Sequence, residues 1–190
     1  MRADLGETLV TREAIARRVE AMGRALASDL EGSMRASGDD PSGGNVVLIP
    51  VLTGALVFTA DLIRELPLKL SLRVVAVSSY PGKSMASKGV KMASELPGDL
   101  RGRHVVVVDD ILDSGQTLGL LRDLIVEQEP ASVRIVVLLR KPESARKRAV
   151  PVEYVGFDIP DAFVVGYGLD YDGFYRNHPE IATLRPDAIG

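Results

Sequence analysis

The sequence lacks several residue types and segments on which common functional sites depend. Its 190 residues include no cysteine, which excludes a disulfide scaffold and cysteine-ligated zinc. Only two histidines occur, His104 and His178, so a histidine-rich metal centre is excluded, and we expect both to be structural. No apolar run approaches the roughly 20 residues of a membrane span, and we therefore expect no membrane contact.

Two further absences and the net charge narrow the class of protein. The N-terminal residues include acids and lack the apolar core of a signal peptide, so a cytoplasmic protein is expected. Neither Gly-x-x-x-x-Gly-Lys-Ser/Thr nor a Gly-x-Gly-x-x-Gly after the first strand is present, which argues against an ATP-binding P-loop and a dinucleotide fold. The formal net charge of −3 argues against a nucleic-acid partner.

Strand and helix patterns alternate through the middle of the chain. Apolar residues at three- and four-residue spacing predict an amphipathic helix from Thr11, its N-cap, to Leu30, and a polar loop follows over 32–44. Apolar runs predict strands at 45–50, 72–79, 105–108, 133–139, 154–157 and 163–167, with helices from 56 and over 115–128. This alternation predicts one α/β domain over 1–190 with a mostly parallel sheet.

Residues 105–118 combine a buried strand with carboxylates and a turn suited to phosphate. Four valines precede Asp109 and Asp110, and Asp113 opens the turn Ser114-Gly115-Gln116-Thr117 ahead of an apolar helical pattern. Open α/β sheets bind ligands beyond the carboxyl ends of their strands. The acids suit a metal or sugar hydroxyls, and the turn offers N–H groups and hydroxyls to phosphate. A phosphorylated ribose fits this set best.

Two plainer interpretations of these acids stay open at this point. Asp109 and Asp110 could form a solvated acidic turn, although their place after four buried valines makes this the weaker reading. Asp113 could serve as N-cap of the helix that begins near Gly115, a common role for aspartate. That role is compatible with ligand binding, because the carboxylate lies at the site in either case.

Two regions carry a resemblance to a known family. Residues 107–117, Val-Val-Asp-Asp-Ile-Leu-Asp-Ser-Gly-Gln-Thr, resemble the phosphoribosyl-diphosphate signature of type I phosphoribosyltransferases. The ranges 154–161, 163–171 and 175–176 are similar to hypoxanthine (hypoxanthine-guanine) phosphoribosyltransferases. The resemblance implies an α/β type I phosphoribosyltransferase fold: a central, mostly parallel sheet flanked by helices. A small hood of N- and C-terminal segments, mainly 152–190, and a flexible lid loop over about 80–98 would complete it.

The resemblance also implies an activity and its partners. The enzyme would transfer the 5-phosphoribosyl group from phosphoribosyl diphosphate to N9 of hypoxanthine and also guanine, with Mg²⁺ as cofactor, in purine salvage. Pyrophosphate would leave, and IMP or GMP would form. By analogy a homodimer or homotetramer is expected.

Roles for individual residues follow from the same resemblance. Asp113 would act as general base at purine N7. Asp109 and Asp110 would hold the ribose hydroxyls and Mg²⁺, and Asp170 a second Mg²⁺. The 5′-phosphate would lie in the loop formed by Ser114, Gly115, Gln116 and Thr117.

The remaining roles concern pyrophosphate, the lid and the base. Thr53, Gly54 and Arg176 would bind pyrophosphate, and the peptide before Thr53 can be cis in the family. Ser79 and Tyr80 would begin the lid. Lys141 would contact purine O6, Phe163 would stack on the ring and the Val164 backbone would bond its edge. Thr53 and Gln116 depart from the family, which usually carries basic residues there.

Plainer and rival interpretations stay open for this second set. Lys141 could be one solvated lysine in a basic run, and Phe163 could be an ordinary core residue. Some proteins of this fold are regulators that bind nucleotides and RNA. The formal net charge of −3 argues against such a role for this chain. A transferase of the same fold that uses xanthine or a pyrimidine is the second rival.

Overall fold

A parallel sheet between two helical layers forms the body of the protein. The computed structural model describes residues 3–78, 91–92 and 96–188. The predicted lid residues Ser79 and Tyr80, and most of the lid, lie outside this range. The elements are β1 (Leu5–Val10), α1 (Arg12–Ser37), β2 (Val46–Leu52), α2 (Leu56–Leu62), β3 (Leu70–Leu72), β4 (Val75–Ser78), β5 (Lys91–Met92), β6 (His104–Leu112), α3 (Gln116–Val126), β7 (Ser132–Arg140), β8 (Tyr154–Asp158), β9 (Val164–Val165) and β10 (Ile181–Leu184).

Strand β6 lies inside the main sheet, as the run of valines predicts. The strand order is β5-β4-β2-β6-β7-β8, with β3 also pairing with β2. All pairings are parallel except that of β4 with β5. The side chains of 105–108 are fully buried because β2 and β7 flank the strand and helices cover both faces. The carboxyl ends of β6, β7 and β8 therefore meet at one edge.

Alternate residues of the sheet pack into two separate cores. Val106 and Val108 contact the face covered by α1 and α2, where Leu26, Leu30 and Phe58 are fully buried. Val105 and Val107 face α3 with its buried leucines. Among the described residues, no helix is long and apolar enough to cross a membrane.

A small antiparallel sheet joins the two ends of the chain. Its order is β1-β10-β9, with Val10 opposite Ile181 and Thr183 opposite Val164. The N–H of Arg185 donates to the Asp4 carbonyl at 2.9 Å, which extends the contact beyond the strands. This sheet corresponds to the expected hood of N- and C-terminal segments, and it places Val164 beside the edge where β6 ends.

Three boundaries differ from the sequence prediction. Helix α1 continues to Ser37 because Met34 extends its apolar stripe and Gly38, in the left-handed region, caps it. The single strand predicted at 72–79 is two strands, since β2 pairs first with β3 and then with β4. Strand β1 was not predicted, because three of its residues are exposed and its apolar pattern is weak.

A polar network ties α1 to the sheet away from the carboxyl edge. The buried Arg134 guanidinium donates to Asp29 at 2.7 Å, to Ser132 at 2.7 Å and to Ser33 at 2.6 Å. The Tyr154 hydroxyl donates to the same Asp29 oxygen at 2.8 Å. His104, which is 1% exposed, contacts Ser132 at 2.8 Å, in keeping with its expected structural role.

Replacing Asp29 by Asn should destabilise the protein in a pH-dependent way. The Arg134 hydrogen bond holds the pKa of Asp29 below its ordinary 3.8, so the ionised carboxylate stabilises the fold above that pH. This contribution is lost as the pH falls through the lowered pKa. Because Asp29 is half-exposed, we expect a loss of about 1–2 kcal/mol at pH 7. Urea unfolding at pH 7 and at a pH below the lowered pKa of Asp29 measures this loss.

The exposed pair Glu20–Arg24 provides the matched control. Its side chains are 48% and 68% exposed, so Glu20→Gln should change the free energy of unfolding by less than about 0.5 kcal/mol. A loss for Asp29→Asn that persists unchanged below the carboxylate pKa would contradict the electrostatic account.

Candidate active site

Side chains from three neighbouring strands converge at the carboxyl edge of the sheet. Strand β6 supplies Asp109 and Asp110, and Asp113 follows it directly. The strand does not end before the two acids, as predicted, but continues to Leu112, because Ile111 and Leu112 still pair with β7. Lys141 follows β7, and its N–H donates to the Leu112 carbonyl at 3.0 Å. The segment after β8 brings Phe163 and Val164 to the same edge.

Asp109 and Asp110 are not a solvated turn. Asp109 is 7% exposed, and its Oδ1 accepts the Asp110 N–H at 3.0 Å. Burial, followed by the neighbouring Asp110 carboxylate, raises the pKa of Asp109 well above its usual value. Burial also raises the pKa of Asp110, and hydrogen bonds with Asp109 and with backbone N–H groups, followed by the Arg176 charge, partly offset this rise. Such a pair favours a cationic ligand or hydroxyl donors.

The loop after β2 is packed directly against Asp110. A Cβ placed on Gly54 would overlap Asp110 Oδ2 and lie 2.6 Å from its Cγ. Thr53 is exposed, and the Leu52–Thr53 peptide is cis. A Cβ on Gly168 would in turn overlap the Gly54 carbonyl oxygen, so this loop also touches the segment that follows β9. The structure thus brings the predicted pyrophosphate loop to the acidic pair.

The turn 114–117 encloses a small cleft, which we call the Ser114 cleft. Gly115 has φ +75°, and a Cβ there would overlap the Arg148 carbonyl, so only glycine fits. The N–H groups of Lys147 and Arg148 donate to the Ser114 carbonyl at 2.9 and 3.1 Å and fix the turn. The cleft, about 60 Å³, is lined by Asp109, Ile111, Leu112, Asp113, Ser114, Gly115, Thr117 and Leu118.

The structure excludes the capping role of Asp113 and shows the surroundings of Gln116. Asp113 does not cap α3, since the N-cap is Gly115 and no side chain accepts a capping hydrogen bond there. Gln116 does not line the Ser114 cleft but an open hollow with Leu120, Lys147 and Arg148. Position 116 therefore contributes its backbone to the turn, while its side chain faces the other way.

A second cleft of about 210 Å³, the Phe163 cleft, lies beside the first. It is lined by Asp110, Ile111, Asp113, Lys141, Ala162, Phe163, Val164, Leu169 and Asp170. Phe163 is 47% exposed and packs edge-to-face on Tyr171, with ring centroids 5.4 Å apart. It is therefore not a core residue. An exposed aromatic face in a cleft suits stacking on a planar ring.

Lys141 is held by carboxylates instead of being solvated. Its side chain is 14% exposed, and Nζ lies 3.5 Å from Asp113 Oδ1 and 3.1 Å from Asp161 Oδ1. An ammonium donor and a carboxylate acceptor thus stand side by side in the Phe163 cleft. Asp161 was not singled out from the sequence, although an acid two residues before Phe163 was a usable signal.

Asp170 and Arg176 form an ion pair at the rim between Asp110 and the hood. Arg176 Nη2 lies 2.7 Å from Asp170 Oδ1, and Nη1 donates to the Gly168 carbonyl at 2.6 Å. Asp170 Oδ2 accepts the Gly173 N–H at 2.8 Å. Both oxygens of Asp170 are thus engaged. A larger hollow of about 520 Å³ lies between α1, α2 and 176–179, and Arg176 is its one predicted site residue.

Comparisons with known proteins agree with this geometry. Residues 17–172 match the family described as phosphoribosyl transferase domain. Hypoxanthine-guanine phosphoribosyltransferases from Mycobacterium avium and Bacillus subtilis are 42% and 39% identical, over 96% and 98% of this chain and 87% and 97% of theirs. A solved hypoxanthine phosphoribosyltransferase from Staphylococcus aureus has 36% identity and a TM-score of 0.86, covering 100% of this chain and 97% of that one.

Proposed function

The chain belongs to the family of hypoxanthine-guanine phosphoribosyltransferases, and from this premise we propose the roles of its site residues. The enzyme transfers a phosphoribosyl group to hypoxanthine or guanine in purine salvage. We propose phosphoribosyl diphosphate as the donor and pyrophosphate as the leaving group. The observation that supports these roles most strongly is the Phe163 cleft, which unites Asp110, Asp113, Lys141 and Phe163.

The donor would occupy the Ser114 cleft and the acidic pair beside it. Backbone N–H groups and hydroxyls of Ser114, Gly115 and Thr117, together with the Gln116 backbone, would hold the 5′-phosphate. Asp109 and Asp110 would accept hydrogen bonds from the ribose hydroxyls. Thr53, Gly54 and Arg176 would bind the pyrophosphate, since Gly54 packs against Asp110 and the positive charge of Arg176 lies close enough to act on the Asp110 carboxylate.

The donor set fits Mg²⁺ only in combination with the substrate. Among the described residues, no three His, Cys, Asp or Glu side chains cluster as a metal site. Mg²⁺ commonly takes one or two carboxylates plus water and phosphate oxygens, which Asp109 and Asp110 can supply. Asp170 would join them at a second ion once Arg176 turns to pyrophosphate. When bound, Mg²⁺ would neutralise charge on the leaving pyrophosphate.

The base would enter the Phe163 cleft with its N7 and O6 edge facing Asp113 and Lys141. A 6-oxopurine presents N7 and O6 on one edge, and an acceptor 3.5 Å from a donor matches that edge. Asp113 would take the N7 proton while Lys141 donates to O6. The Val164 backbone would meet the opposite edge, and Phe163 would stack on the ring. Adenine carries an amino group at C6, so two hydrogen-bond donors, this amino group and the Lys141 ammonium, would face each other.

A base panel tests the proposed function. Purified enzyme, phosphoribosyl diphosphate and Mg²⁺ should convert hypoxanthine and guanine to their nucleotides, with adenine and uracil as negative controls. No turnover of either 6-oxopurine would reject the proposal. Turnover of xanthine alone would reassign the base. Omission of Mg²⁺ should abolish turnover, and activity that persists in chelator would remove the metal from the scheme.

Replacing Phe163 by Ala should weaken base binding without unfolding the protein. Because the ring is 47% exposed, its loss leaves no core cavity. Loss of stacking should raise KM for hypoxanthine about tenfold, while KM for phosphoribosyl diphosphate stays constant. Steady-state kinetics with each substrate varied in turn measure this.

Phe174→Ala is the matched control. Phe174 is 67% exposed and does not line the Phe163 cleft, so its removal should leave KM for hypoxanthine unchanged. Equal effects of the two substitutions would contradict a stacking role for Phe163. The lid role of Ser79 and Tyr80, the homodimer or homotetramer and the cytoplasmic location stay predictions.

A further inference from the structure

A carboxylate that does not line either cleft holds the lysine of the proposed base site. Lys141 Nζ lies closer to Asp161 than to Asp113, at 3.1 against 3.5 Å. Asp161 is not among the residues that line the Phe163 cleft, so it contacts the lysine and not the space where a base would lie. We propose that Asp161 is a positioning residue, which fixes the Lys141 ammonium for donation to the 6-oxo group. This inference rests on the proposed function.

The position of Asp161 is set by its backbone and not by the lysine. Two residues before Asp161, Ile159 is buried, and its N–H donates to the Arg140 carbonyl at 3.0 Å. The Ala162 N–H donates to the Pro160 carbonyl at 2.8 Å and closes a tight turn. A carboxylate on such a turn is a fixed acceptor, whereas a lysine has a long and mobile side chain. Asp161 therefore determines where the ammonium lies.

The number of carboxylates beside Lys141 explains why Asp113 alone could not both position the ammonium and act on the base. Without Asp161, Asp113 would be the one carboxylate of the described residues in an ion pair with Lys141. The ammonium would then move onto Asp113 and compete with the purine N7 proton for its oxygens. An ammonium has three donors, so Asp161 can keep one while another points to O6. Asp161 thereby leaves Asp113 available for the base.

Asp161→Asn tests the proposal in steady-state kinetics. We expect KM for hypoxanthine to rise about tenfold, with kcat changed less than about threefold and KM for phosphoribosyl diphosphate constant. Asp158→Asn is the matched control, because Asp158 lies three residues earlier and pairs with Arg140 at 2.6 and 3.1 Å. Neither Asp158 nor Arg140 lines the Phe163 cleft, so this variant should behave as wild type.

Nucleotide binding supplies a readout that a merely structural role would not move. Calorimetry would compare IMP with purine riboside 5′-monophosphate, which lacks the 6-oxo group. Asp161→Asn should reduce the preference for IMP about tenfold, and Asp161→Glu should restore part of it. Since Asp161 is 58% exposed, neither substitution should lower Tm.

The possible outcomes separate the two proposals. Unchanged kinetics and an unchanged IMP preference would overturn the role of Asp161. Equal weakening of both nucleotides, or a lowered Tm, would assign it a structural role and overturn the positioning role as well. If wild-type protein fails to turn over hypoxanthine and guanine, the proposed function fails, whereas the role of Asp161 is still decided by the IMP preference.

Discussion

Replacing Asp113 by Asn should lower kcat by a factor of about 10²–10⁴, the usual contribution of a general base. An amide has the size of the carboxylate but cannot accept the proton from purine N7. The Asp113 side chain is 55% exposed, so the fold should not depend on its charge. Asp113 also lies at the junction of the two clefts, whereas the acidic pair beside it would hold the donor. KM for phosphoribosyl diphosphate should therefore change by less than about threefold.

Asp123→Asn provides the comparison for this experiment. Asp123 is 56% exposed, pairs with Arg148 on the outer side of α3 and lines neither cleft, so kcat should stay at the wild-type value. Single-turnover measurements would separate the chemical step from product release. An Asp113→Asn enzyme with wild-type kcat would remove the residue from proton transfer. A rise in KM for the base alone would make it a binding residue.

The centre of the fold was predictable because local and long-range preferences agree there. Four β-branched residues at 105–108 favour a strand, and exposure of their apolar side chains to water is unfavourable. The run therefore favours a strand that is buried on both faces. The predicted end of β6, at residue 108, was wrong by four residues, because the strand ends at Leu112. Asp109 and Asp110 disfavour a strand locally, yet their backbone continues to pair with β7 up to Leu112. Tertiary pairing thus overrides local propensity at the residues that carry function.

Side-chain surroundings were the part that sequence could not supply. Lys141 lies in a basic run, and only the fold shows that Asp113 and Asp161 surround it. Phe163 belongs to an apolar segment, but its ring is half-exposed because the short strand β9 begins one residue later. The direction of Gln116, away from the Ser114 cleft, depends on the left-handed Gly115 before it.

The close contact of Gly54 with Asp110 leads to the second large effect. Gly54 is not one of the described glycines with a positive φ, so alanine can adopt its backbone conformation. The added methyl would nevertheless overlap Asp110 Oδ2 and lie 2.6 Å from Cγ. The loop has little room to shift, because its carbonyl oxygen would lie only 2.2 Å from a Cβ placed on Gly168. The Asp110 carboxylate therefore has to rotate away from the ribose and the metal.

Gly54→Ala should thus lower kcat/KM for phosphoribosyl diphosphate by about 100-fold, since two charge-assisted contacts of Asp110 are lost. Tm should change little, because the displaced carboxylate lies in a cleft and not in the apolar core. Gly98→Ala is the control: a Cβ there meets nothing within 4 Å, and activity should be retained. If Gly54→Ala kept wild-type kcat/KM, Asp110 would not hold the donor in the observed orientation. Equal losses for both variants would indicate a general effect of glycine replacement and not a displaced carboxylate.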